Sequence, residues 1–387
     1  MMKKLIPIFI LTVVGIGFVL SAHAFFLKTP PSNNNNASHE IYEKASILHI
    51  EDPTENKETY LLEQKVTLRI RTGTYKGQEI RTNHHYSGVP GLDLELEVGD
   101  TVLLYMDIQD NELQEIYIAD MYRMDWTLFI LLLFVSLLLV VGGWKGFKSL
   151  IALGFTILAI FEILIPAIVM GYNPLLITIF IASFVTVFTM MMIAGFTTKS
   201  LSATLGTVTG VVVAGYLALL IGNLAHLTGV SSEECRSILL SPTLTVDLKG
   251  LLFAGILIGA LGAIMDVSMS IASSLQEIYK AKPSSSIKEL FIAGMNVGKD
   301  IMGTMSNTLI LAYTGGSLPL LFMYAAYEIS FIKIVNLELI SAEIIRAIVG
   351  SIGLIMSVPL TSIVSSILYI TFPSKERSNQ ALNNTSE

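Results

Sequence analysis

Two carboxylates, Glu162 and Asp266, stand inside long apolar runs of this 387-residue chain, and a third, Asp300, opens another. Where such runs cross a membrane, each carboxylate costs about 2.5–3.5 kcal/mol on insertion scales until it meets a partner or water, so a proton or cation site is one use for it. Asp266 follows Gly255, Gly259 and Gly262 and precedes Ser270 and Ser273 at steps of three and four. That spacing gathers the small and polar residues on one helical face and leaves Leu, Ile and Met for the others. The glycines suit close helix packing, and Asp266 reads equally as a functional carboxylate or as a structural hydrogen-bond anchor. Glu162 has Pro166 one turn later, where a helix lacks a backbone N–H, so this carboxylate stands beside a gap in the hydrogen-bond ladder. A neutral Glu162 bonded to a neighbouring helix is the plainer reading. Asp300, Thr304 and Asn307 share a face at the start of a further run, and Thr314-Gly315-Gly316-Ser317-Leu318-Pro319 then interrupts it. An Asn near a broken helix suits cation coordination or interhelical bonding, whereas Asp300 beside Lys299 suits a screened surface pair. Asp266, Ser270, Asp300, Thr304, Asn307 and Glu162 form the candidate polar site.

Other chemistry finds little footing. His84 and His85 are adjacent on an extended segment and point to opposite faces, which argues against a shared metal. His226 is isolated, and Cys235 is the single cysteine, which excludes an internal disulfide framework and a cysteine-based zinc or iron–sulfur centre. Neither a G-x-S-x-G, an H-E-x-x-H, a P-loop nor a G-x-G-x-x-G pattern occurs. We therefore expect no metal, no cofactor and no enzymatic activity.

The elements that must position these residues follow from composition. Hydrophobic residues make up 52% of the chain and charged residues 14%, against roughly 45–50% and 25% in soluble domains, and the mean hydropathy is +0.66. A soluble enzyme is excluded. Apolar blocks of spanning length fall near Trp126–Val141, Ser149–Met170, Pro174–Phe196, Leu201–Ala225, Gly250–Ser273, Ile301–Phe322 and Ala347–Thr371. Residues 1–27, with Lys3-Lys4, an apolar run and Ser21-Ala22-His23-Ala24, read as a signal anchor in preference to a peptide cleaved after Ala24. With a retained anchor the spans number eight and both termini are cytoplasmic, and without it the spans number seven.

Charge supports this topology. The segments placed inside carry eleven Lys and Arg residues, whereas the outer loops after Trp126 carry Arg236, Lys249, Lys333 and Arg346. Residues 28–125 hold 9 basic and 18 acidic residues, so the net charge of −7 divides into −9 there and +2 elsewhere. No basic stripe exists for nucleic acid. After the polar linker Thr29–Asn36 the period becomes two, with strands expected at Ile41–Ile50, Tyr60–Thr72, Gln78–His84, Val102–Ile108 and Leu113–Ala119. This is the pattern of a small extracytoplasmic barrel of OB or SH3-like type. The helical domain then occupies 126–373. Within it, residues 280–299 read as a cytoplasmic amphipathic helix capped by Ser286 with Glu289, and a polar tail follows at 374–387. The stretch Glu328–Arg346 reads as a helix lying at the outer interface.

The block Gly298–Gly316, together with Gly262-Ala263-Ile264-Met265-Asp266-Val267-Ser268-Met269-Ser270-Ile271-Ala272-Ser273, resembles the YibE/F-like family of bacterial membrane proteins. The resemblance extends to the Gly73-Thr74-Tyr75-Lys76-Gly77 and Val98-Gly99-Asp100 turns and to the helix entry Lys199-Ser200-Leu201-Ser202-Ala203. It implies a multi-pass protein of the bacterial plasma membrane and carries no settled activity. The residues point first to a transporter or channel-like permease for a small or ionic solute. The second reading is a non-transporting scaffold or accessory subunit whose barrel meets an envelope protein. Besides the lipid bilayer, neither a partner nor an oligomeric state is fixed by the sequence.

Overall fold

The computed structural model describes residues 39–55, 62–86, 93–109, 112–241 and 245–372, with Gly15 and Gly17 besides. The rest of the N-terminal anchor, the polar linker and the tail at 374–387 lie outside the described residues. The described residues fall into two compact units, one within Pro30–Leu138 and one within Met1–Thr29 together with Leu139–Glu387.

The first unit is an antiparallel sheet of β1 (His39–Ile50), β2 (Thr54–Glu55), β3 (Leu62–Ile70), β4 (Glu79–Tyr86), β5 (Thr101–Gln109) and β6 (Glu112–Met121), ordered β2-β3-β1-β5-β6 with β4 on β3. Alternation decides its interior. Ala45, Ile47, Val66, Leu68, Val102, Leu104 and Met106 all point inward and are buried, and Ala45 pairs with Val102 across β1 and β5. The Thr82 hydroxyl donates to the Ile116 carbonyl at 2.7 Å, which brings β4 to β6 and nearly closes the sheet into a barrel. His84 is buried with Nε2 3.1 Å from the Leu94 carbonyl, while His85 lies outside, 3.5 Å from Glu63. The two rings face opposite sides, as the strand period requires.

The second unit is helical. After β6 the chain enters α1 (Met124–Ala159), a single π turn (Ile160–Leu164) and α2 (Ile165–Val169). Two spans were expected here, and the run is helical throughout except at Gly143, whose φ of 51° and ψ of −130° break it. That backbone conformation is one L side chains seldom adopt, so the glycine marks the joint. There follow α3 (Pro174–Ala194), α4 (Thr198–Leu224), α5 (Glu233–Leu240), α6 (Leu248–Ala281), α7 (Ile287–Gly316), α8 (Leu318–Ala326), α9 (Phe331–Asn336) and α10 (Glu338–Thr371). Among the described residues five helical stretches are long and apolar enough to cross a membrane, Met124–Val169 counting as one, or six if the bent pair α7 and α8 is a span.

Caps define these helices. Asn173, Thr197, Ser232 and Asp247 each accept from a backbone N–H in the first turn of the helix that follows, and Ser286 and Glu289 form a reciprocal capping box. Of the segment 280–299 expected as an amphipathic helix, residues 280–281 end α6 and residues 287–299 are the first turns of α7, which runs without a break to Gly316. Likewise, Glu338, Glu343 and Arg346 open the long α10 and do not form a helix of their own. At the core α10 packs against α4, α6 and α7. Small residues permit the approach: Gly206 meets Thr361, Gly298 meets Val358, and Gly353 is so close to Ala214 that an added Cβ would sit 2.7 Å from the alanine methyl.

Candidate functional site

The helices α6 and α7 run antiparallel side by side, in a register set by Gly259 against Tyr313, Ile271 against Gly298 and Leu275 against Gly294. Between the first two contacts Asp266 comes level with Thr304, and Ser270 with Asp300. Five of the six expected residues thus share two neighbouring helices at matching depths. Glu162 stands on a separate element, half-buried in the π turn. There Ile165 N–H reaches back to the Ile160 carbonyl, and Pro166 follows without a donor of its own. The gap that the proline predicts is taken up as a π turn, a form found often at functional positions.

The face of α7 is more informative than any single residue. From Asn296 to Thr308 its exposed positions are Asn296, Lys299, Asp300, Gly303, Thr304, Asn307 and Thr308. Its opposite face carries Ile301, Met302, Met305 and Leu309 into the core. Space is open beside Gly303, as it is beside Gly255 and Gly262 on α6. The expected Gly255–Gly259 packing stripe is therefore corrected. Gly259 alone of the pair meets a neighbour, Tyr313, and Asp266 remains exposed near the open glycines. The Thr304 hydroxyl donates to the Ile301 carbonyl at 2.9 Å and that of Thr308 to the Thr304 carbonyl at 2.9 Å, so both keep acceptor capacity toward the outside.

Cavities lie elsewhere. One of about 340 Å³ is walled by the second half of α1, α3 and α6, with Gly262 and Met265 on its edge. It is apolar except for a few hydroxyls, of which Thr156 and Thr178 donate within their own helices and Thr189 is buried with no hydrogen-bond partner among the described residues. A second, of about 300 Å³, lies at the 61° bend between α7 and α8, against the start of α10. Tyr313, Thr314, Ser317 and Glu343 line it, and Glu343 accepts from Arg346 at 2.6 Å. The Tyr313 hydroxyl and Arg346 Nε are buried without hydrogen-bond partners among the described residues. None of the six expected residues lines either cavity.

Sequence reasoning missed two features. Tyr313 was passed over, although an aromatic hydroxyl one residue before Thr314 and the Gly-Gly break was the available signal. The second is Glu338, whose carboxylate accepts from the N–H of Thr228 and of Gly229, each at 2.7 Å, and from the Thr228 hydroxyl. It ties the loop after α4 to the start of α10. The two sites are 110 residues apart in the chain, so no local pattern announces the clamp.

Apolar helices of spanning length, a small-residue core and an appended barrel are consistent with a multi-pass membrane protein. The chain belongs to the YibE/F-like family: residues 130–371 match the model of the YibE/F-like protein, and residues 42–121 match the YibE/F family N-terminal domain. No curated protein and no solved structure matches the chain.

Proposed function

We propose that this protein is a permease for a small or ionic solute, with the open face of α7 and the adjacent Asp266 and Ser270 of α6 lining the path. The observation that carries the reading is the exposed run from Asn296 to Thr308, polar or glycine at every position and lying alongside the apolar length of α6. Acyl chains are poor company for such a face, and water is good company. The bend of 61° after Gly316 adds a discontinuous helix, the kind of element that frees backbone groups for a solute. Asp266, Asp300, Thr304 and Asn307 are the proposed contacts, and Glu162 in its π turn is a third carboxylate, proposed for proton coupling. In this reading the protein sits in the bacterial plasma membrane with the barrel outside and the connection between α6 and α7 inside.

The test is a thermal-unfolding screen of the purified protein against ions, amino acids, sugars and metals, run on wild type and Asp266→Asn, followed by flux in proteoliposomes. A ligand that raises the wild-type midpoint, leaves a well-folded Asp266→Asn unmoved and crosses only wild-type vesicles supports the proposal. If nothing shifts either protein and the variant is as stable as wild type, the proposal fails.

One observation favours the second reading, a scaffold or accessory subunit. Tyr42, Tyr105 and Tyr117 form a ladder across β1, β5 and β6, with ring centroids 5.4 Å and 4.6 Å apart, and Tyr42 and Tyr117 are exposed. Such a surface suits a protein partner. If Tyr42→Ser with Tyr117→Ser abolishes the cellular phenotype while Asp266→Asn does not, this reading replaces the first.

A further inference from the structure

The start of α4 opens into a cavity of about 340 Å³, apart from the polar face of α7. Hydroxyl residues Thr197, Thr198, Ser200 and Thr204 form part of its wall, and apolar side chains that include Phe196 and Leu368 form the rest. Gly195, at φ 74°, ends α3, and extended Thr197 turns the chain into the new helix. Thr197 Oγ1 accepts from the N–H of Ser200 at 3.2 Å. The N–H groups of Thr198 and Lys199 have no acceptor among the described residues.

A helix start alone is no site, and Ser200 supplies the independent observation. It is 2% exposed, it lines the cavity, and its hydroxyl has no hydrogen-bond partner among the described residues. A helical serine ordinarily satisfies itself on the carbonyl four residues back, as Ser202 does on Thr198 at 2.8 Å. For Ser200 that residue is Phe196, which precedes the helix, so the ordinary route is closed. A buried hydroxyl left in this state is unfavourable, and a bound acceptor removes that cost. Lys199 precedes Ser200 in the chain, is half-buried outside the lining of the cavity, and has no carboxylate in bridging distance among the described residues. None of the residues lining the cavity is acidic.

We propose that this cavity binds a phosphate group, held by the free N–H groups of Thr198 and Lys199, the Ser200 hydroxyl and the Lys199 ammonium. Unsatisfied N–H donors, the positive end of a 27-residue helix dipole, a hydroxyl and a cation are the components of an anion site. Two sources carry this chemistry, an anionic phospholipid and free phosphate. The apolar wall accommodates acyl chains, and the charge distribution of the sequence puts this helix start on the inner side, at the level of anionic headgroups.

Three full-length proteins, wild type, Lys199→Gln and Ser200→Ala, test the site, with Lys288→Gln as a control for a cationic residue elsewhere on the same side. Each is reconstituted with phosphatidylcholine and phosphatidylglycerol, returned to a zwitterionic detergent, and the retained lipid is counted by native mass spectrometry. In parallel, each lipid-depleted protein is titrated with inorganic phosphate and followed by thermal unfolding. Retention of phosphatidylglycerol that falls about tenfold in both variants and persists in Lys288→Gln assigns the lipid. A midpoint that rises with inorganic phosphate in wild type and the control alone assigns free phosphate. Lys199→Gln removes a charge without touching the packed serine, so it decides the matter if Ser200→Ala fails to fold. Equal retention and equal phosphate response in wild type and Lys199→Gln overturn the proposal.

Discussion

The outward face of α7 and the inward seam of α10 are built from the same residue types and meet opposite fates. On α10, Gly350, Gly353, Ser357, Thr361 and Ser365 are buried among α4, α6 and α7, while Ile344, Ile348, Ile352, Ile355, Ile363 and Ile367 point outward. On α7, between Asn296 and Leu309, Gly303, Thr304, Asn307 and Thr308 point outward and Ile301, Met302, Met305 and Leu309 point in, whereas Ile292, Ile310 and Leu311 on either side are exposed. The α10 pattern follows the rule for a helix facing lipid, with small residues packed and branched residues exposed. The α7 pattern inverts it. A stripe of small and polar residues thus states that a face is special, and only the neighbouring helices decide whether it is glue or an opening.

Substitutions that add bulk separate the two faces most sharply. Gly353→Val drives a side chain into Ala214 and the Gly210 carbonyl, 2.7 Å and 3.2 Å from the position of the first added carbon. A loss of about 3 kcal/mol is expected, the upper end for overpacking, measured by thermal unfolding of the purified protein. Gly303→Val enters open space and should leave stability within about 0.5 kcal/mol of wild type. Equal losses would erase the distinction.

The barrel repeats the contrast with adjacent histidines. Burial pushes the pKa of His84 down from 6.5, so folding favours its neutral form. The unfolded chain binds the proton first, and the barrel loses stability as pH falls below about 6.5, at no more than about 1.4 kcal/mol per pH unit until the folded pKa is passed. Amide exchange in β3 and β4, corrected for intrinsic rates, should show this between pH 7.5 and 5.5. His84→Gln should flatten the dependence, whereas His85→Gln should retain it.

Smaller effects follow for single hydroxyls. The Thr361 hydroxyl donates to Ser268 at 3.2 Å between α10 and α6, and Thr361→Val should cost about 0.6–1 kcal/mol. Thr304→Val, on the open face, should change stability least of all and lower solute flux instead. A stability loss in Thr304→Val to match that of Thr361→Val would count against an open path.

What was legible in the sequence was whatever the chain decides locally. Alternation located the five longer strands to within a few residues, because inward Ala45, Ile47, Val66 and Leu68 alternate with polar neighbours. The Ser286–Glu289 capping box and the break at Gly315–Pro319 were likewise written in adjacent residues. Continuity of α7 was not legible, since Lys288 and Lys299 look interfacial until Leu290, Gly294 and Gly298 are seen to bury themselves. Nor was the different fate of Gly255, open, and Gly259, closed by Tyr313, because a glycine pattern does not name its neighbour. The candidate residues were found by type, and their gathering on α6 and α7 depended on a register that only packing supplies. Ser200 escaped for the same reason: its missing partner is visible only when the turn before α4 is formed.

Thiol accessibility tests the inversion on α7 most directly. In a Cys235→Ser background, Thr304→Cys, Asn307→Cys and Ile352→Cys are placed singly in the full-length protein and treated in native membranes with a charged, membrane-impermeant thiol reagent. The account predicts rapid modification of the α7 positions, slowed by a transported solute, and none at Ile352→Cys on the outward face of α10. Protection of Thr304→Cys and Asn307→Cys equal to that of Ile352→Cys would contradict it, and the polar face of α7 would then have to be sealed from water.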